Sequence, residues 1–312
     1  MDKFELAYTA GYIDGDGCLY MGSYETNKGI TYEYSVQVCS VNPNIITWFK
    51  ENFGGAIREK PKRPNQKVIH AWTIKNQECI DLVEKIQNFL IAKHRESHFF
   101  LELAYHIEDN NYYPLTVDAI KHREALIYNK RLICHEADHI EKNMITTQWR
   151  NIVSQPINRV DTDYAYLAGL IDAEGCFRIK HYHRKNRPNK VFNICLEIGN
   201  TNRNFFDWLL FKFGGSISFL EPKDNKKPAA IWSLQANILM KLLPFIIPHL
   251  KHKKPIAEKL VEFSNTILPN GGDRHSDTFK KRYIEVIKHR EQLVKDIQKL
   301  NAKGHYDSSS SL

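Results

Sequence analysis

Small and apolar residues recur at helical spacing over residues 4–14, and from residue 18 the chain switches to alternation. The alternation is clearest at 31–40, where Tyr34, Val36 and Val38 fall on one face and Glu33, Ser35 and Gln37 on the other. The pattern predicts a helix at 4–14, a strand pair at 18–24 and 31–40, and a helix at 43–53 that Gly54-Gly55 terminates. A second strand pair (56–60 and 68–74) and two helices (77–91 and 93–107) complete the series.

The same series then starts again. AYTAGYIDGDGCLYMG (7–22) returns as AYLAGLIDAEGCFRIK (165–180), which aligns Asp16 with Glu174 at an offset of 158. Trp48 and Trp208, Trp72 and Trp232, and Lys93 and Lys253 are each 160 apart, and IKHREAL (120–126) and IKHREQL (287–293) are 167 apart. A drift this slow means one duplicated unit with a few loop insertions. The expected organisation is an N-terminal half (1–145), a polar linker (146–162), a C-terminal half (163–303) and a disordered tail (304–312). The second copy predicts helices at 163–172, 203–213, 236–247 and 253–267, with strands at 176–183, 190–199, 216–221 and 229–235. Longer charged helices (116–144 and 276–301) are appended to the two halves, and no role is legible for them.

In each copy small residues sit four apart: Ala7, Gly11 and Gly15; Ala165, Gly169 and Ala173. That spacing makes a stripe poor in side chains along one helix face, which lets two backbones approach closer than the usual 8–10 Å. Two such stripes imply that the helices pack on each other across a pseudo-twofold axis, and close van der Waals contact offsets the poor helix propensity of glycine. Carboxylates then fall at helix C-termini, where the macrodipole is already negative, and two brought together repel. A divalent cation resolves that conflict, and oxygen ligands suit Mg²⁺ or Ca²⁺ better than Zn²⁺.

Two other motifs do not alter this reading. IDGDG resembles the start of an EF-hand, but Cys18 stands where a loop ligand belongs. His135-Glu136-Ala137-Asp138-His139 fits H-E-x-x-H, yet the other half has no counterpart and a charged helix face explains it. The formal net charge of +8 favours a polyanionic partner. No apolar run reaches the roughly 18–20 residues of a membrane span, and the N-terminus lacks a signal-peptide pattern. The six cysteines form no C-x-x-C, as expected of reduced thiols inside a cell.

TAGYIDGDG (9–17) and LAGLIDAEG (167–175), heading matched repeats, closely resemble the motifs of single-chain LAGLIDADG homing endonucleases. The resemblance covers about 1–107 and 163–267. It implies an α+β fold of two pseudo-symmetric αββαββα repeats, whose antiparallel strands form a saddle along the DNA major groove. It implies a monomeric, intron-encoded, site-specific endonuclease of double-stranded DNA, with Mg²⁺ as cofactor and Ca²⁺ or Mn²⁺ able to take the same sites. Asp16 and Glu174 would be catalytic acids and metal ligands, with the carbonyls of Gly15 and Ala173 facing metal, and Lys93 and Lys253 would be the catalytic lysines beside each centre that stabilise developing negative charge or organise water. The Asp/Glu pair departs from the usual pattern, and the longer Glu174 suggests unequal strand cuts, the Asp16 site being the faster. A group I intron RNA maturase and a cleavage-silent DNA-binding protein are the alternative readings on this scaffold. An organelle or a bacterial cytoplasm is the expected location.

On that fold the strand face turned away from the helices would meet DNA. Alternation nominates Tyr20, Tyr24, Glu33, Ser35, Gln37, Arg58, Lys60 and His70 in the first half. In the second it nominates Arg178, Lys180, Tyr182, Asn193, Glu197 and Ser218. Trp72 and Trp232 share that parity but suit a core equally. The basic hairpin connections suit phosphate contacts, through Arg58, Lys60, Lys62, Arg63 and Lys67 at 58–67 and Arg184, Lys185, Arg187 and Lys190 at 181–190. Because the two halves differ at most reading positions, the target should be asymmetric.

Overall fold

Residues 1–60, 67–110, 115–137, 159–183, 190–220, 228–266 and 276–302 are described in the computed structural model. The first half runs α1 (Lys3–Asp16), β1 (Gly17–Thr26), β2 (Gly29–Ser40), α2 (Pro43–Phe53), β3 (Ala56–Lys60), β4 (Ile69–Ile74), α3 (Asn76–Ile86), α4 (His94–Asp109) and α5 (Val117–Ala137). The second repeats it as α6 (Asp161–Glu174), β5 (Gly175–His183), β6 (Lys190–Asn200), α7 (Arg203–Phe213), β7 (Ser216–Leu220), β8 (Ala229–Gln235), α8 (Ala236–Ile246), α9 (Lys254–Asn265) and α10 (Asp277–Asn301). Each half holds a four-stranded antiparallel sheet, in the orders β1-β2-β4-β3 and β5-β6-β8-β7. The fold is α+β, with two equivalent repeats.

The two motif helices form the centre. Asp2 caps α1, its carboxylate accepting from the N–H groups of Phe4 (2.9 Å) and Glu5 (2.8 Å). Residues 7–14 of α1 and 165–172 of α6 are buried on every side, as befits helices enclosed by protein rather than laid on its surface. The glycines are where the helices cross. A Cβ at Gly11 would lie 2.0 Å from the carbonyl oxygen of Tyr166, and one at Gly169 would lie 2.0 Å from that of Tyr8. Only hydrogen fits there. Both helices extend further than the periodicity suggests, so Asp16 and Glu174 are the last helical residues rather than residues beyond the helix.

The register decides the tryptophans. Val38 pairs with Trp72 and Ile198 with Trp232, all four fully buried, so both indoles belong to the core between sheet and helices. Each indole N–H donates to a glycine carbonyl, Trp72 to Gly54 at 2.8 Å and Trp232 to Gly214 at 2.7 Å. The following Gly55 and Gly215 have φ of +75° and +95°, and a Cβ on either would meet a strand carbonyl.

The appended helices are docked by matched side chains. Arg123 of α5 donates to the His106 ring and to the carbonyls of His106 and Asn110. Its equivalent in α10, Arg290, donates to the hydroxyl and carbonyl of Thr266. Apolar residues of both helices (Leu126 and Ile127; Leu293, Val294 and Ile297) join the core. No described helix is long and apolar enough to cross a membrane. Residues 146–158 of the expected linker, the tail, Asp138 and His139 lie outside the described residues, as do the side chains of His135 and Glu136.

Candidate active site

The last turns of α1 and α6 bring Asp16 and Glu174 to one cavity of about 480 Å³, which Asp172, Ala173, Cys176, His252 and Lys253 also line. Glu174 faces a second cavity as well, of about 310 Å³, together with Asp14, Gly15, Lys93 and Glu96. Burial disfavours the ionised form of both acids. It raises the Asp16 pKa against the pull of Lys253 and Lys93. Burial, with repulsion from Asp16, lifts Glu174 to about 7.

The other motif aspartates have a different task. The Asp14 carboxylate accepts from three successive backbone N–H groups, of Ile91 (2.7 Å), Ala92 (3.1 Å) and Lys93 (2.9 Å). Asp172 repeats the arrangement with Lys251 (2.7 Å), His252 (2.9 Å) and Lys253 (2.7 Å). A tyrosine from the opposite motif helix completes each: Tyr166 donates to Asp14 at 2.6 Å and Tyr8 to Asp172 at 2.9 Å. Each aspartate thus pins the turn that carries its own half's lysine, and each tyrosine ties that turn to the other half. These four residues were not among the sequence candidates, although Tyr8/Tyr166 and Asp14/Asp172 both repeat at the motif's offset of 158.

The lysines so held lie against helix C-termini. The Lys93 ammonium donates to the Asp14 carbonyl at 2.6 Å. That of Lys253 reaches the carbonyls of Ile171 (2.7 Å), Asp172 (2.9 Å) and Ala173 (3.4 Å). A cation there satisfies carbonyls the helix leaves open and opposes the negative dipole end. Burial lowers the Lys253 pKa, with Asp172 and Asp16 opposing the shift. The Ala173 carbonyl, expected to face metal, therefore also has a lysine contact.

Among the described residues no group of three or more His, Cys, Asp or Glu side chains is arranged to hold a metal. The donor set still suits a hard cation. Two desolvated carboxylates that repel each other gain from a divalent charge between them, and Mg²⁺ commonly completes its shell with water and substrate phosphate oxygens.

Residues 167–267 match the family model described as LAGLIDADG endonuclease. The I-SmaMI LAGLIDADG homing endonuclease bound to cleaved DNA superposes with a TM-score of 0.65 at 13% identity, covering 98% of each chain. I-SmaMI bound to uncleaved DNA target in the presence of calcium ions gives 0.62 at 13% identity, covering 96% of this chain and 99% of that one. The I-LtrWI LAGLIDADG homing endonuclease bound to target DNA gives 0.60 at 13% identity, covering 91% and 96%. No curated protein matches at the sequence level. The chain has the LAGLIDADG homing endonuclease fold.

Within the LAGLIDADG fold the sheet face away from the helices presents most of the alternating candidates. Tyr20, Tyr24, Arg178, Lys180 and Tyr182 are exposed, and Arg58 and Lys60 stand exposed on β3. Glu33, Gln37, Asn193 and Glu197 are partly exposed on the same face, and Ser218 is exposed on β7. Several of these groups hold one another. Glu197 pairs with Arg178 (3.3 Å) and Lys180 (2.5 Å), Glu33 with Lys75 (3.2 Å), and Asn193 donates to Gln235 (2.9 Å).

Three positions differ from expectation. His70 pairs with Ser40 on the parity of Trp72 and Ile74, so it points to the helix side of the sheet and lies 3.7 Å from Glu59. Strand length carried the alternation one face out. Ser35 has the expected parity but is buried, and the Gln37 amide bonds its hydroxyl at 3.1 Å. The Lys67 amine is buried rather than exposed. Lys62, Arg63, Arg184, Lys185 and Arg187 lie outside the described residues, as does the side chain of Lys190.

Proposed function

We propose that the protein is a divalent-metal-dependent endonuclease that cuts double-stranded DNA at a long, asymmetric site, acting as a monomer of the intron-encoded homing type. The observation that carries this is the pair of carboxylates brought together at the ends of two touching helices, each half adding a half-buried lysine. The structural neighbours bound to cleaved DNA and to an uncleaved target with calcium ions support it.

Asp16, Glu174 and nearby main-chain oxygens would hold the cation, Mg²⁺ in the first instance. When bound, that ion supplies Lewis acidity and a lowered pKa for water at the scissile phosphate. The chain's own residues do the rest. Lys93 and Lys253, fixed by the aspartate-held turns, offer positive charge where the phosphate gains negative charge. The tight α1–α6 crossing fixes the spacing of the two acids, and hence of the two cuts. The exposed strand faces supply Arg, Lys, Gln and Asn side chains, the types that bond base edges in the major groove.

Selection of cleavable sites from a randomised DNA library in Mg²⁺ supplies the target and tests the reading together. On that target, with each strand end-labelled, Asp16→Asn and Glu174→Gln are each expected to slow cleavage by at least about a hundredfold while binding persists. The double variant should bind and not cut. Cleavage that survives the double substitution would sink the mechanism. Binding without cleavage by the unaltered protein would favour the silent DNA-binding reading, and preference for structured intron RNA would favour the maturase.

A further inference from the structure

The duplication makes the two halves comparable position by position, and one comparison is lopsided. In the first half Glu96 opens α4, 8% exposed, and its carboxylate lies 3.6 Å from the Lys130 ammonium of α5. Cys134, one turn further along α5, bonds the same carboxylate. Glu96 and Cys134 line the 310 Å³ cavity with Lys93, Gly15 and Glu174. At the repeat offsets of 160 and 167, the second half has Ile256, Ile297 and Asn301 in these places. Ile256 and Asn301 line the cavity that holds Asp16 and Lys253, and Ile297 is buried. The appended helices therefore reach both cavities at equivalent turns, with Cys134 in one and Asn301 in the other, and one turn back the contact is an ion pair in the first half where the second half has isoleucines.

The isoleucines show that docking the appended helix does not require charge. An apolar pair fills the equivalent place, and replacing a buried ion pair by apolar residues is often neutral or stabilising. Charge retained beside one catalytic lysine calls for another explanation. We infer that Glu96, held by Lys130, is a positioning residue of the Lys93-side centre alone, and that it makes the two strand cuts chemically unequal. An ionised carboxylate there accepts hydrogen bonds from water and from ammonium groups entering the cavity, which Ile256 cannot do. This places the asymmetry in Glu96 and α5 as well as in the longer Glu174 side chain. It rests on the endonuclease reading above.

The test copies one half into the other. Glu96→Ile with Lys130→Ile is expected to fold with a Tm equal to or above that of the parent. On the selected target it should slow cutting of one strand roughly tenfold and leave the other within about twofold. Glu96→Gln should reproduce that loss, and adding Lys130→Met to it should cost nothing more, because the two act as a unit. Equal slowing of both strands, or of neither, would overturn the inference. A second readout needs no DNA. Burial and then Glu96 hold the Cys134 thiol up at about 11. In Glu96→Gln the pH profile of Cys134 alkylation should shift to lower pH; an unmoved profile removes Glu96 from this cavity's chemistry. If the parent cuts no DNA, the endonuclease reading fails, while the thiol profile still decides whether Glu96 governs the cavity.

Discussion

Asp14 accepts bonds from three consecutive backbone N–H groups and the Tyr166 hydroxyl, while Asp16, two residues on, faces the cavity shared with Glu174. The sequence shows both acids and ranks neither by burial. The family resemblance singled out Asp16 and Glu174, and Asp14 was left without a role because the turn that Asp14 binds is 77–79 residues away. The environment also sets a pH dependence. Glu174, lifted to about 7, ionises in the unfolded chain near its ordinary value but in the folded protein only near 7. Its contribution to stability is therefore fully present below about 4.5 and is lost as pH rises toward 7. His252, which burial lowers to about 4, works the other way: stability rises between about 4 and its ordinary value. The informative quantity is the difference between the parent and Glu174→Gln. In EDTA that difference should fall against the parent between pH 5 and pH 8, measured by urea denaturation. Adding Mg²⁺ at pH 8 should restore much of it. A difference that is flat with pH would show that Glu174 is not held protonated.

Between elements, the α1–α6 contact is the feature most fully written in the sequence. The four-residue spacing of Ala7, Gly11 and Gly15, and of Ala165, Gly169 and Ala173, specifies the contact face. The structure adds which glycines bear it: Gly11 and Gly169 meet backbone carbonyls, whereas Gly15 meets the side chains of Ala173 and Glu174. Backbone cannot move aside as a side chain can. Gly169→Ala is therefore expected to destabilise the protein by about 3 kcal/mol or more, as overpacking in a rigid contact does, despite the better helix propensity of alanine. Thermal unfolding gives the answer, and an unchanged or raised Tm would mean that the helices part easily. The appended helices were legible as helices and opaque in role. Arg123 and Arg290 dock them, and the turn holding Cys134 or Asn301 reaches a cavity, but those contacts join residues whose separation the local pattern does not encode.

As a whole the molecule sets two matched sheets, one from each half, around a shared pair of helices, with a formal charge of +8 behind a face bearing Arg58, Lys60, Arg178 and Lys180. Phosphate contacts made by such a face release counterions. Affinity for the selected DNA target should therefore fall steeply as salt rises. Lys60→Gln should weaken binding to all sequences alike and reduce the log–log slope by about one unit. Fluorescence anisotropy across a salt series measures both, and a slope unchanged by the substitution would take Lys60 off the phosphate path. The sequence by itself determined the duplication, the order of elements in each half, the small-residue contact and the pair of acids at its end. Those features live in local periodicity and in self-similarity, which a single chain displays in full. Only the tertiary structure decided that Trp72 and Trp232 are core, that His70 points to the helix side, that Asp14 and Asp172 pin the lysine turns, and that Glu96, paired with Lys130, lines the cavity beside Lys93. Those outcomes depend on strand register and on contacts between distant segments, where one residue of slip reverses a face and where burial, not residue type, sets the charge.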